Sequence, residues 1–383
     1  MDARLLAITV GNFTTATGAF LVVGLLNEIS ADLGVSVAIA GLLGSAFAGT
    51  SALAAPIVAI LGTRISRRLL LVGALAANAA SALGSAVAPS FAVLFGLRMV
   101  TGGTVGSYVP ASVSTAGMLM PADQRSRAVF MVGIGASLGQ VIGVPAGVWI
   151  GGALGWRVPF VLIGVIGMVV CVWLWRILPA RLMAATFNLA SWGEVRRNKA
   201  ILATLGVTAL QGGGGFVTMA FIAPLLKQSI GATPGTISLM LGLFGLCGVV
   251  CSLIALRVMD RFGPTRFGIL ALVAIATNFL LWPLAQGSVV LTAVAVGLWG
   301  GGFIVIASAQ QSRLVMLAPK LAPVTVAFNT SCVFGGSALG TGLGSIIVAT
   351  LGLSALTWVS FVIVCAALTL FIVSLRMQRR RAA

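Results

Sequence analysis

Twelve separate runs of about 20 apolar residues constrain this chain more than any other feature, because a helix needs roughly that length to cross the hydrocarbon of a bilayer. They fall at 5–27, 38–61, 69–88, 91–118, 128–152, 158–178, 200–226, 236–257, 267–286, 289–310, 324–350 and 354–375. The runs are continuous, which argues against the alternating pattern of a membrane β-barrel. In lipid every backbone polar group needs an internal partner. The expectation is therefore an all-α polytopic membrane protein with 12 transmembrane helices. Only 8% of its 383 residues are charged, against about 25% in a soluble domain. The first run is longer than a signal-peptide core and lacks a small-residue cleavage site before Glu28, so it is expected to be retained.

The net charge of +17 would fit a nucleic-acid binder if it were gathered on a folded domain. It is instead distributed by side. With the N-terminus inside, 20 of the 23 basic residues fall on cytoplasmic segments, Arg313 and Lys320 among them. Only Arg157 and Lys227 fall outside, and Arg98 lies within a span. This obeys the positive-inside rule and places both termini in the cytoplasm. No nucleic-acid partner is expected. The five cysteines all lie in spans and histidine is absent, which supports neither a metal site nor a disulfide framework, and no cofactor is expected. An integral-membrane enzyme is disfavoured for the same reason: the histidines and carboxylates of acid–base chemistry are missing.

The longest connection, 179–199, divides the chain into six spans (1–178) and six spans (200–383), with 179–199 as a cytoplasmic loop between two helical bundles. A shift of 197 residues lays Thr63–Ser66 on Asp260–Gly263, and Gly139, Gly143 and Gly147 on Gly336, Gly340 and Gly344. Two parallel six-span repeats are the pattern of a secondary transporter with a site between its halves.

Several stretches resemble one family. "LRVMDRFGPTR" (256–266) is similar to the loop signature of the major facilitator superfamily, found after the second and eighth spans. "LRMVTGGTVG" (97–106) resembles the fourth-span arginine motif of its proton-driven exporters, and "GQVIGVPAG" (139–147) their fifth-span antiporter signature. The opening 20–48 and "GWRVPF" (155–160) resemble the chloramphenicol-resistance and arabinose-efflux-like members of the 12-span drug:proton antiporter branch.

The resemblance implies a rocker-switch transporter of a bacterial inner membrane, effluxing small organic molecules, with a proton as the coupling ion and a monomer as the working unit. It gives Thr63, Arg64, Arg67, Arg68, Asp260, Arg261 and Gly263 to a gating loop, although Thr63 and Ser66 replace the family's aspartate and glycine in the first copy. Arg98 becomes the transport and coupling residue; an arginine in hydrocarbon costs at least ~2.5 kcal/mol and so is expected to face the bundle interior, with snorkelling to the surface as the alternative. Gly139, Gly143, Pro145 and Gly147 mark the antiporter-motif helix. Family architecture places the first, fourth, seventh and tenth spans around the cavity, which nominates Asn12, Thr15, Tyr108, Gln211, Trp299 and Gln310 as its polar lining.

The acidic residues complicate proton coupling. The chain has six (Asp2, Glu28, Asp32, Asp123, Glu194 and Asp260), none in mid-span, and Gly18-Ala19 stands where many relatives carry an acid. Three explanations stay open: coupling through a rim carboxylate such as Glu28, Asp32 or Asp260; an uncoupled facilitator; or a solute exchanger. A non-transporting membrane sensor is a further alternative. A cavity with Arg98 and no carboxylate should disfavour bare cations and tolerate neutral or anionic solutes.

Glycines at 135, 139, 143, 147 and 151 drift only about 40° per step around a helix, forming one groove. Small residues allow close helix packing in lipid. The expected partner is the eighth span, through Gly242, Gly245, Gly248 and Ser252, making a sliding seam between the halves, with a bend at Pro145. The clusters 211–216 and 299–303 are expected to act as hinges.

Overall fold

The structure, a computed structural model, describes residues 2–61, 65–121, 123–180, 182, 190–318 and 321–382. Among these residues all regular structure is helical. The first four spans are Ala3–Gly24, Val37–Leu61, Arg67–Ala86 and Phe91–Leu119. The fifth is composite, Arg125–Leu138 and Val144–Leu154 joined by a π-helical turn at Gly139–Gly143, and the sixth is Arg157–Ile177. The remaining six are Lys199–Met219, Pro234–Phe262, Pro264–Ala285, Val289–Leu317, Ala322–Thr350 and Ala355–Ala382. Short helices Leu26–Asp32, Ala190–Arg197 and Ile222–Ile230 lie between spans.

Among the described residues, 11 of the spans are long and apolar enough to cross a membrane on composition alone. The fourth is the exception. It is 29 residues long but carries Arg98 and a run of hydroxyl side chains that lower its hydropathy. Side-chain caps start several spans: Ser66, Ser90, Asn198 and Ser288 each accept from a first-turn N–H. Gly263 opens the ninth span at φ +77, a conformation that needs glycine, whereas its counterpart Ser66 sits at φ −61 and caps by its hydroxyl. That is why the first copy of the loop motif dispenses with glycine.

The chain forms two compact units. One comprises Met1–Phe187 with Thr233–Gly242, the other Asn188–Ala232 with Leu243–Ala383. In the first unit the first span packs on the fifth and sixth, the second on the fourth, and the third on the fourth and sixth. The second unit repeats the scheme. Its seventh span packs on the eleventh and twelfth and its ninth on the tenth and twelfth. Gly300 of the tenth span lies on the backbone of Phe244 in the eighth, with a Cβ there only 2.8 Å from the Phe244 carbonyl carbon.

The glycine groove of the fifth span corrects the expectation. Its partner is the first span. A Cβ on Gly135 would fall 2.9 Å from the Thr9 carbonyl carbon and one on Gly139 2.7 Å from Phe13 O. Gly143 abuts Thr17, Gly147 packs on Leu21 and Gly151 on Leu25. Glycines four apart meet residues four apart, so the two helices run in register inside one unit. In the second unit Gly336, Gly340 and Gly344 meet Ala209, Gly213 and Val217 of the seventh span. Of the expected eighth-span partner, Gly242 approaches Pro145 at 3.4 Å from a would-be Cβ, and Ser238 donates to Pro145 O at 2.7 Å.

Pro145 acts as expected on the helix but through a specific device. It has no N–H to return to Val141 O, and the turn before it widens so that Val144 N–H reaches Gly139 O, five residues back. The clusters 211–216 and 299–303 show no break. Both lie inside unbroken helices, and Gly212, Gly213, Gly214 and Gly215 meet Val333, Gly336, Val364 and Phe303 respectively. Close approach to neighbouring helices is what these glycines permit in this conformation.

Candidate functional site

Arg98 lies two turns into the fourth span and is 1% exposed. Its Nη1 donates to Gly18 O at 2.8 Å and its Nη2 to Ala19 O at 2.6 Å, and the guanidinium stands 4.9 Å over the ring of Phe47. Burial of this kind excludes snorkelling. The planar fork suits two adjacent carbonyls. Nε has no hydrogen-bond partner among the described residues.

The six nominated cavity residues are all 2% exposed or less. In the first unit Asn12 brackets three helices, donating to Ser112 Oγ at 2.9 Å and to Val132 O at 3.0 Å. Tyr108 lies against Gly11 and donates to Ile8 O at 3.4 Å, so the structure brings Asn12 and Tyr108 together. Thr15 only returns its hydroxyl to Asn12 O of its own helix, at 3.1 Å. Arg98 meets the first span near Gly18, well over a turn farther along.

In the second unit Gln310 donates to Thr204 O at 3.0 Å and accepts from Arg313 at 2.8 Å. Trp299 is stacked edge-on between Phe244 and Phe279, with centroids at 5.5 and 5.0 Å. Gln211 Nε2 and Trp299 Nε1 have no hydrogen-bond partner among the described residues.

Of the gating-loop residues, Thr63 and Arg64 lie outside the described residues, as do the side chains of Asp260 and Arg261. Arg67 donates to Ser114 Oγ at 3.4 Å, and Arg68 lies 4.2 Å over Trp175. Among the rim carboxylates, Asp32 accepts from Arg157 and from Trp156 Nε1, the latter at 3.1 Å. The Arg157 guanidinium first, and the indole second, hold its carboxyl below the ordinary value. Arg157 also reaches Ala88 O at 3.2 Å, so one side chain ties three inter-span loops.

Sequence reasoning missed three features. Arg313, assigned to the cytoplasmic surface, is 3% exposed in the tenth span, held by Gln310, by Ser374 Oγ at 2.7 Å and by the face of Phe371 at 4.1 Å. Its place four residues from the helix end disguised it as a flanking charge. The Asp32–Arg157 tie was concealed by 125 residues of separation. The third is a series of rings, Phe216, Phe303, Phe244, Trp299 and Phe279, at successive centroid distances of 6.0, 6.2, 5.5 and 5.0 Å. Phe20 and Phe47 are 6.3 Å apart in the first unit, and the 197-residue shift lays Phe47 on Phe244 and Phe20 one residue beyond Phe216.

Twelve spans in two repeated sets of six, with a buried intramembrane arginine, are the pattern of a membrane transporter. The family model of the Major Facilitator Superfamily matches residues 8–320 and, again, 204–383, and the chain belongs to that superfamily. It is 28% identical to the inner membrane transport protein YdhP of Escherichia coli K12, over 98% of this chain and 96% of that one. It is 27% identical to a probable sugar efflux transporter of Helicobacter pylori HPAG1, over 91% of this chain and 89% of that one. Among solved structures, a bacterial homologue of the human lysosomal transporter Spinster superposes with a TM-score of 0.77 at 16% identity, covering 97% and 96% of the two chains. That likeness carries the fold.

Proposed function

We propose that this chain is an exporter of small neutral or anionic organic molecules, seated as a monomer in a bacterial inner membrane with both termini cytoplasmic, and working by alternating access of the halves 1–178 and 200–383 about the connection 179–199. The observation that carries the solute class is Arg98. Its described partners are two carbonyls and a ring, with no carboxylate, so its positive field repels a bare cation. Direction is supported by the fifth-span motif and by the sugar efflux transporter among the relatives. The test is solute flux in proteoliposomes across a compound panel, with and without an imposed pH gradient. Neutral and anionic solutes should move. Quaternary-ammonium dyes emerging as the best substrates would overturn the reading.

A second reading concerns the driving force. Apart from Asp260 near the end of the eighth helix, no span contains Asp or Glu, and Asp32 is held ionised by Arg157. With no acid in mid-span and Asp32 held in its ion pair, the reading is of a facilitator or solute exchanger. Flux indifferent to the pH gradient supports this reading. Flux that follows the gradient returns coupling to Glu28 or Asp260.

A further inference from the structure

The first unit has a groove on its surface between the third and fourth spans. It has a volume of about 300 Å³ and is lined by Ile65, Leu69, Gly73 and Ala74 on one side and Gly103 and Ser107 on the other. Leu69 is 56% exposed, and a Cβ on Gly73 or Gly103 would meet nothing within 4 Å. The groove wall is apolar because its hydroxyls are turned away. Ser107 donates to Gly103 O at 2.6 Å, and Thr104 accepts from Asn78 and donates to Thr101 O.

The two spans are antiparallel, and their cross-links follow one register, Asn78 to Thr104, Ser81 to Thr101 and Arg67 to Ser114. Arg67 therefore bridges the two helices at one end of the groove. Arg68 lies beside it over the exposed face of Trp175. Exposed tryptophan stacked on arginine marks the headgroup level of a membrane protein. From Ser66 to Ala74 the groove descends about 12 Å along the helix axis, close to the roughly 15 Å of one leaflet's hydrocarbon.

The second repeat differs in sequence at this place. At the position related to Gly73 the ninth span carries Leu270, which projects 65% exposed, and the ninth span begins with Gly263-Pro264 where the third has Ser66-Arg67. The first copy thus pairs its gap with Arg67 and Arg68 at the start of the third span, where the second copy has Leu270 and Gly263-Pro264.

We propose that this groove seats one acyl chain of an anionic phospholipid, with the phosphodiester headgroup on Arg67 and Arg68. Charge complementarity chooses the occupant: the leaflet on the basic side is the one that anionic lipid enriches, and the groove above it offers apolar surface and no polar partner.

The test uses the full chain in vesicles of phosphatidylcholine with and without phosphatidylglycerol. The lipid retained on the gently released protein is measured by native mass spectrometry, with a thermal midpoint in neutral lipid as a folding control. The wild type should retain phosphatidylglycerol at least about tenfold over phosphatidylcholine. Arg67→Gln with Arg68→Gln should abolish the headgroup preference, and Gly73→Leu, which copies the second repeat, should abolish retention of either lipid at this site. No preference in the wild type overturns the proposal. So does a preference that survives both variants, and a preference lost in Gly73→Leu but kept in the arginine variant refutes the headgroup assignment.

Discussion

An arginine buried in hydrocarbon is the residue-scale problem this fold has to solve, and it solves it twice with different chemistry. Arg98 is neutralised by backbone, through Gly18 and Ala19, and Arg313 by side chains, through Gln310 and Ser374. Each also lies over a phenylalanine, Phe47 or Phe371, a contact worth up to about 2 kcal/mol when desolvated. Two charge-assisted hydrogen bonds contribute about 1.5–3 kcal/mol each, against an insertion cost of about 2.5–3.5 kcal/mol. Two such bonds, about 3–6 kcal/mol together, cover that cost. Arg98→Ala should lower the thermal midpoint, through the lost bonds and the cavity, and, per folded protein, lower solute flux in proteoliposomes at least about tenfold. Arg98→Lys should recover part of it, because one ammonium cannot span both carbonyls. Flux at the wild-type level in Arg98→Ala would return the residue to a packing role.

At the scale of the helix, the fifth span shows what sequence could and could not convey. The four-residue glycine repeat and Pro145 announced a groove and a distortion, and both are present. The partner was illegible, because a small-residue face is complementary to almost any helix and only the three-dimensional register selects one. The first span is selected through the 9, 13, 17, 21, 25 series that faces the glycines. Substitution should therefore disturb packing inside one unit, in proportion to what each glycine touches. Gly139 meets the Phe13 carbonyl and Gly143 the movable side chain of Thr17. Overpacking typically costs about 1–3 kcal/mol. Gly139→Ala should lower the thermal midpoint and folded yield clearly more than Gly143→Ala. Gly133→Ala, with nothing within 4 Å, should leave both unchanged or raise them slightly. Equal losses at all three positions would refute this assignment of the seam.

Across the whole molecule, the spans were legible from hydropathy and the repeat from a single register, since both are written in local sequence. What was not legible is how the two copies diverge in their long-range ties. In the first unit Asp32, Arg157 and Ala88 link three loops through an ion pair. At the corresponding place in the second, Gln228 donates to Ser354 at 3.4 Å and Gly287 N–H to Ser229 O at 2.9 Å, with no charge. Only the first tie can respond to pH. Arg157 holds the Asp32 carboxyl below its ordinary value in the folded chain, so the tie is fully present above the ordinary carboxylate range and is lost as pH falls through the depressed value. Both partners are more than a third exposed, which limits the pair to about 1 kcal/mol or less, about a fivefold change in an opening equilibrium. Hydrogen exchange, corrected for intrinsic rates, should therefore show residues 26–36 and 86–90 up to about fivefold less protected at pH 3 than at pH 6. Asp32→Asn should reproduce that loss at pH 6 and remove the pH dependence, while residues 222–232 and 285–290 stay unchanged throughout. An equal response in both copies would mean that the ion pair is not what distinguishes them.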